Sequence, residues 1–139
     1  MERERILFIC THNAARSQMA EGYLRARYGD QFESFSAGTE ASTVSPYAIR
    51  VMQEIGVDIT GQRSKDLKEF TGVQMDVAVM VCDSAKPACP FFSWAKESLH
   101  VTFRNPKEFS GSEEEILSGF REIRDGITDW IDRFVAGET

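Results

Sequence analysis

Apolar positions run continuously from Ile6 to Ile9, with no polar face, as expected of a strand buried on both sides in a parallel sheet. This predicts a first strand over about Arg5 to Cys10. A helical pattern opens at Ser17, where Met19, Ala20, Tyr23 and Leu24 fall on one stripe and Gly29 lies just beyond the last turn. A second strand is predicted from Phe32 to Ala37, ending at Gly38. Ser45-Pro46 reads as a cap followed by proline at the first helical position, with Ile49, Met52 and Ile55 along one side and Gly56 closing the helix. A short helix near Ser64 to Phe70 leads into a third strand, Asp76 to Cys82, again almost wholly apolar. The segment Asp83 to Lys96 has no clear period, and a fourth strand is expected at about Leu99 to Phe103, before Asn105-Pro106. The last helix begins with a capping-box pattern, Ser112-x-x-Glu115, and carries Ile116, Phe120, Ile123, Ile127, Trp130, Ile131 and Phe134 at core spacing.

Strands alternating with helices imply an α/β fold: a four-stranded parallel sheet in flavodoxin-like order 2-1-3-4, with helices on both faces. In that order strands one and three are neighbours, and the binding crevice opens at their C-terminal ends, where Cys10 and Cys82 stand. Neighbouring strands lie ~4.8 Å apart, within the roughly 4.4–6.8 Å between α-carbons that a disulfide needs, so the two thiols are predicted to be joinable with modest loop movement.

The 139 residues, 42% of them hydrophobic, suit one well-cored domain spanning 1–139. A net charge of −6 and a pI near 5.0 argue against nucleic-acid or anionic-membrane binding, so any anion site must be local. No stretch approaches ~18 consecutive apolar residues, and Met1-Glu2-Arg3-Glu4-Arg5 leads straight into a strand, which gives the expectation of a soluble cytoplasmic protein. The three cysteines, Cys10, Cys82 and Cys89, argue for thiols that stay reduced or do chemistry rather than for a disulfide framework.

Cys10, Thr11, His12, Asn13, Ala14, Ala15 and Arg16 span the predicted turn from strand to helix. A short loop wrapping into a helix N-terminus directs backbone N–H groups inward and adds the positive end of the helix dipole, and Arg16 supplies a planar two-pronged donor. The same field favours the thiolate form of Cys10, a nucleophile aimed at a tetrahedral oxyanion. Ser17 is placed to donate a hydrogen bond to that thiolate, and Asn13 to lock the loop through its side chain. A cysteine ending a strand is on its own a small buried hydrophobe; the strand before and helix after it favour the anion site. Cys82 and Cys89 suggest a relay in which Cys10 attacks, Cys82 forms a disulfide with Cys10, and Cys89 takes over Cys82. Simple burial of both is the competing reading, and zinc binding lacks its four ligands.

The stretch Cys10-Thr11-His12-Asn13-Ala14-Ala15-Arg16-Ser17-Gln18-Met19-Ala20-Glu21-Gly22, then Ser36-Ala37-Gly38, Ile55-Gly56-Val57-Asp58-Ile59, Cys82 and Cys89, resembles the thioredoxin-coupled arsenate reductases built on the low-molecular-weight tyrosine phosphatase fold. The resemblance implies a nucleophile at Cys10, anion binding by Arg16 and the loop amides, thiolate support from Ser17, and a relay through Cys82 and Cys89 recycled by thioredoxin. Arsenate would leave as arsenite, with phosphate or sulfate as competing oxyanions, no cofactor or metal, and a monomeric chain.

Three departures from the family pattern stand out. The loop after the fourth strand has Asn105-Pro106 where the family places an acidic general acid, and an amide delivers no proton; Glu108 or Asp83 are the candidate substitutes. Some relatives hold potassium through residues matching Asn13, Glu21 and Ser36 plus an acidic residue where this chain has Lys65, whose ammonium either takes the cation's place or is simply exposed. Ala15 replaces a cysteine found in many close relatives, and His12 a glycine common in the phosphatases. Two further readings remain: a phosphatase acting through a phosphocysteine at Cys10, and an oxyanion-binding module with little catalysis.

Overall fold

The apolar run near the N-terminus becomes β1 (Glu4–Cys10), an inner strand of the sheet in a computed structural model that describes residues 3–81 and 92–137, with Lys107 described by its backbone alone. Ile6, Leu7, Phe8 and Ile9 are at most 1% exposed because both sheet faces are covered. Burial of this kind contributes ~1.5–3 kcal/mol per large side chain. α1 (Arg16–Tyr28), β2 (Phe32–Gly38), α2 (Pro46–Gln53), β3 (Met75–Met80), β4 (Ala95–His100) and α3 (Glu113–Val135) follow. The sheet order is β2-β1-β3-β4, and every pairing is parallel.

One sheet face, carrying Ile6, Phe8, Val77 and Val79, packs against α1, α2 and α3 through Met19, Leu24, Met52, Phe120, Ile127 and Ile131. The other face, with Leu7, Ile9 and Ala78, is covered among the described residues by the 3-10 turn Leu67–Phe70 and by Phe92 and Trp94. Ser45 and Ser112 cap α2 and α3, the latter with the full reciprocal capping box to Glu115.

The structure corrects several boundaries. β4 is Ala95–His100, not Leu99–Phe103. It is an edge strand whose Lys96, Glu97 and Ser98 are exposed, so it lacks the apolar signature of its neighbours. Leu99 pairs with Val79 within β4, and Val101 and Phe103 follow beyond the strand, all three packed against the α3 side of the core. Residues 64–66 are not helical, because Asp66 is the cap of the short turn. Ile55 lies past the end of α2 and is 41% exposed; the buried face of that helix is Ala48, Val51 and Met52. β3 ends at Met80, and the predicted strand end at Cys82 lies outside the described residues.

Candidate functional site

At the C-terminal edge of the sheet, Cys10 pairs with Gly38 in the β1–β2 register, and residues 11–15 bend over that pair before α1 begins. Gly38 is required there: a Cβ on it would lie 2.5 Å from the Thr11 carbonyl oxygen and 2.8 Å from the Asn13 nitrogen. The loop's carbonyls are drawn outward. Thr11, His12 and Ala14 accept from the backbone N–H groups of Glu40, Ser42 and Ser45, and the Ser64 hydroxyl also donates to His12. Asn13 is the only described non-glycine residue with positive φ, at 49°, a conformation that asparagine tolerates well. Its backbone N–H turns inward and donates to Cys10 Sγ at 3.2 Å. The cap position of α1 is Ala15, which offers no side-chain cap, and no acidic residue occupies the first turn. The positive end of α1 therefore faces the loop without an intramolecular anion in that turn.

A fully buried polar floor supports the sulfur. Ser17 Oγ lies 2.8 Å from Cys10 Sγ and accepts from Asn13 Nδ2 at 2.8 Å. Asn13 Nδ2 also donates to Ser36 Oγ at 2.9 Å, while Asn13 Oδ1 accepts from the Lys65 backbone N–H and from Gln18 Nε2, both at 2.8 Å. Asn13 thus uses both donors and both acceptor sites of its amide with no exposure. Ser36 donates to Glu21, whose carboxylate is also held by Arg25 and, at 3.4 Å, by the Lys65 ammonium. The Lys65 side chain is 12% exposed, so burial pushes its ammonium below the ordinary lysine range, opposed by the attraction of Glu21. Lys65 is therefore an ion-paired, largely buried cation rather than a simple exposed lysine.

Arg16 is 6% exposed and donates from Nη1 to the Phe103 carbonyl at 3.3 Å, which ties the start of α1 to the segment after β4. Cys10, His12, Ala14, Ala15 and Arg16 line one wall of a cavity of about 350 Å³, and Asn105 with Tyr47, Phe109 and Phe120 lines another. His12 Nδ1 pairs with the Glu40 carbonyl at 3.1 Å, so the imidazole is engaged at the rim. Glu108 is exposed on the 3-10 turn Pro106–Glu108, and its backbone N–H donates to the Asn105 carbonyl.

The structure therefore gathers Cys10, His12, Ala14, Ala15, Arg16 and Asn105 around one cavity, with Asn13 and Ser17 buried against the Cys10 sulfur, while Cys82, Cys89 and Asp83 lie outside the described residues. Sequence reasoning missed the Phe103 carbonyl that holds Arg16 and the aromatic wall of Tyr47 and Phe109. Backbone carbonyls leave no residue-type signal, and Phe120 reads equally well as core. Among the described residues no three His, Cys, Asp or Glu side chains gather into a metal-holding group, and no helix is long and apolar enough to cross a membrane.

Residues 5–137 match the sequence profile of the low molecular weight phosphotyrosine protein phosphatases. An arsenate reductase of Halalkalibacterium halodurans is 39% identical over 134 residues, covering 96% of each chain. Among solved structures, an arsenate reductase in the phosphate-binding state superposes with a TM-score of 0.79 at 26% identity, covering 98% of this chain and 99% of that one. A thioredoxin-dependent arsenate reductase of Corynebacterium glutamicum gives a TM-score of 0.67 at 28% identity, covering 96% of this chain and 63% of that longer one.

Proposed function

Because this chain belongs to the low-molecular-weight phosphotyrosine protein phosphatase family and, within it, to the arsenate reductases, we propose that it reduces arsenate to arsenite with Cys10 as nucleophile and thioredoxin as the final reductant. The observation that carries this reading is the environment of the Cys10 sulfur: the Asn13 N–H and Ser17 hydroxyl against it, the uncapped start of α1 beside it, and Arg16 on the same cavity wall. Arg16 and the amides of Thr11, His12, Asn13, Ala14 and Ala15 hold the oxyanion, and phosphate or sulfate competes because the loop reads shape and charge.

The Cys10 thiolate attacks arsenic(V), forming an S–As bond as hydroxide leaves and is protonated to water. The Cys82 thiolate then attacks the Cys10 sulfur. An S–S bond forms, the S–As bond breaks, and its electron pair remains on arsenic, which departs as arsenite. Two thiols oxidised to one disulfide supply the two electrons that arsenic gains. Cys89 next attacks Cys82 and frees the Cys10 thiolate, and the thioredoxin dithiol reduces the Cys82–Cys89 bond. Asn105 faces the same cavity as a hydrogen-bonding amide without a proton to transfer, a deficit worth ~10²–10⁴-fold that weighs most on a reaction expelling an alkoxide or phenoxide. The protein works as a cytoplasmic monomer without cofactor or metal.

The aromatic wall beside the loop favours one second reading, hydrolysis of an aryl phosphate through a phosphocysteine. Mass spectrometry after a single arsenate turnover separates the two. The expected product is a Cys82–Cys89 disulfide with one arsenite released, and Cys89→Ser should trap a Cys10–Cys82 bond. Arsenite release unaffected by Cys82→Ser and Cys89→Ser would sink the relay, and aryl phosphate hydrolysis with no arsenite formed would favour the phosphatase.

A further inference from the structure

Gln18 is completely buried on α1, and the proposed chemistry assigns it no part. We infer that Gln18 is a positioning residue: it fixes the amide orientation of Asn13 and thereby obliges Ser17 to direct its only proton at the Cys10 sulfur. This rests on the reading of Cys10 as nucleophile.

The argument is one of donor and acceptor arithmetic, since a reversed amide exchanges two donors for two acceptors. Arg25 can only donate, and its Nη1 meets Gln62 Oε1 at 2.9 Å. Gln62 therefore turns Nε2 inward, to Gln18 Oε1 at 2.7 Å and the Gln18 carbonyl at 3.1 Å. Gln18 in turn directs Nε2 at three oxygens: the Asn13 side chain at 2.8 Å, the Asn13 carbonyl at 3.0 Å and the Arg63 carbonyl at 2.9 Å. With Oδ1 held by Gln18 and by the Lys65 backbone N–H, Asn13 presents Nδ2 to Ser17. Ser17 Oγ must accept there, so its single hydroxyl proton is left for Sγ, 2.8 Å away. Every link donates toward the sulfur, and each amide is held by groups that cannot reverse their role: Arg25 for Gln62, the Asn13 and Arg63 carbonyls for Gln18, and the Lys65 backbone N–H beside Gln18 for Asn13. The branch through Ser36 obeys the same polarity, because Ser36 accepts from Asn13 and donates to the Glu21 carboxylate. A donor aimed at sulfur favours the thiolate, whereas a reversed Asn13 would draw the Ser17 proton to itself.

The test measures iodoacetamide alkylation of Cys10 near neutral pH in a Cys82→Ser/Cys89→Ser background, with melting followed by circular dichroism. Gln18→Met keeps the side-chain length and removes the donor. It is expected to slow alkylation about 5-fold where Ser17 is present, and to add nothing in a Ser17→Ala protein, which is itself slowed about 10-fold. If Gln18→Met does not fold, Gln62→Met at the half-buried outer end carries the same test, with about 2-fold slowing that again vanishes without Ser17. A slowing of equal size with and without Ser17, or a folded variant as reactive as its parent, overturns the inference. A parent Cys10 no more reactive than free cysteine overturns both this inference and the nucleophile reading.

Discussion

The polar floor beneath the 10–16 loop is built from amides and hydroxyls, and the ion pairs joining α2 to α3 from charged groups, at opposite degrees of exposure. Beneath the loop, Asn13, Ser17, Gln18 and Ser36 have no exposure, and each donor there meets a defined acceptor. Between the helices, Arg121 forks onto Glu54 and Glu114 with 34%, 39% and 75% side-chain exposure, and Arg50 meets Glu113 in the open. The outer network nevertheless contains the larger charge perturbation: the guanidinium groups of Arg121 and Arg124 hold the Glu54 carboxyl at about 2. Water and salt screen those pairs, so their loss is tolerated, while a buried donor without its acceptor has no solvent to turn to. Each amide in the dry network has a single orientation that satisfies its partners.

The widest gap between the two regions should appear with Asn13→Ala, which removes four side-chain hydrogen bonds at once. Chemical denaturation is expected to show a loss of about 3 kcal/mol or more. A loss under about 1 kcal/mol would mean that the floor relaxes as easily as a surface.

The α1–α3 seam sharpens the comparison, since Asp132 there accepts from both Tyr23 and Tyr28, at 2.8 and 2.7 Å. Burial, and then the Asp132 carboxylate, push the Tyr23 hydroxyl up to about 12. The unfolded chain begins to release this proton near 10, the ordinary tyrosine value, while the folded chain retains it. The stabilisation is therefore intact below about pH 10 and lost as pH rises toward about 12. Thermal melts across that window should fall less steeply for Tyr23→Phe than for the parent, and parallel curves would remove Tyr23 as the cause.

The smallest effect is expected for Arg121→Ala, a melting temperature within about 2 °C of the parent and a difference that shrinks with added salt. A larger, salt-insensitive drop would put the helix ion pairs in the same class as the buried floor.

Much of the frame was legible because its signals are local. A continuous apolar run marks β1, Ser45-Pro46 and Ser112-x-x-Glu115 mark helix starts, and a cysteine and an arginine bracket the short loop from β1 to α1 and line its cavity. β4 was misread because an edge strand exposed to water keeps polar residues, and its pairing with β3 leaves no periodicity in the chain. Ile55 was misread because helical spacing continues past a helix that has already ended at Gln53.

The chain by itself determined the order of strands and helices, the composition of the loop, and the presence there of a cysteine and a guanidinium, since each is carried by neighbouring residues or residue type. Only the tertiary structure decided which way the buried donors point. Ser36 and Lys65 reach Asn13 across 23 and 52 residues, Phe103 reaches Arg16 across 87, and the polarity of a hydrogen bond depends on partners that meet only once the sheet has formed.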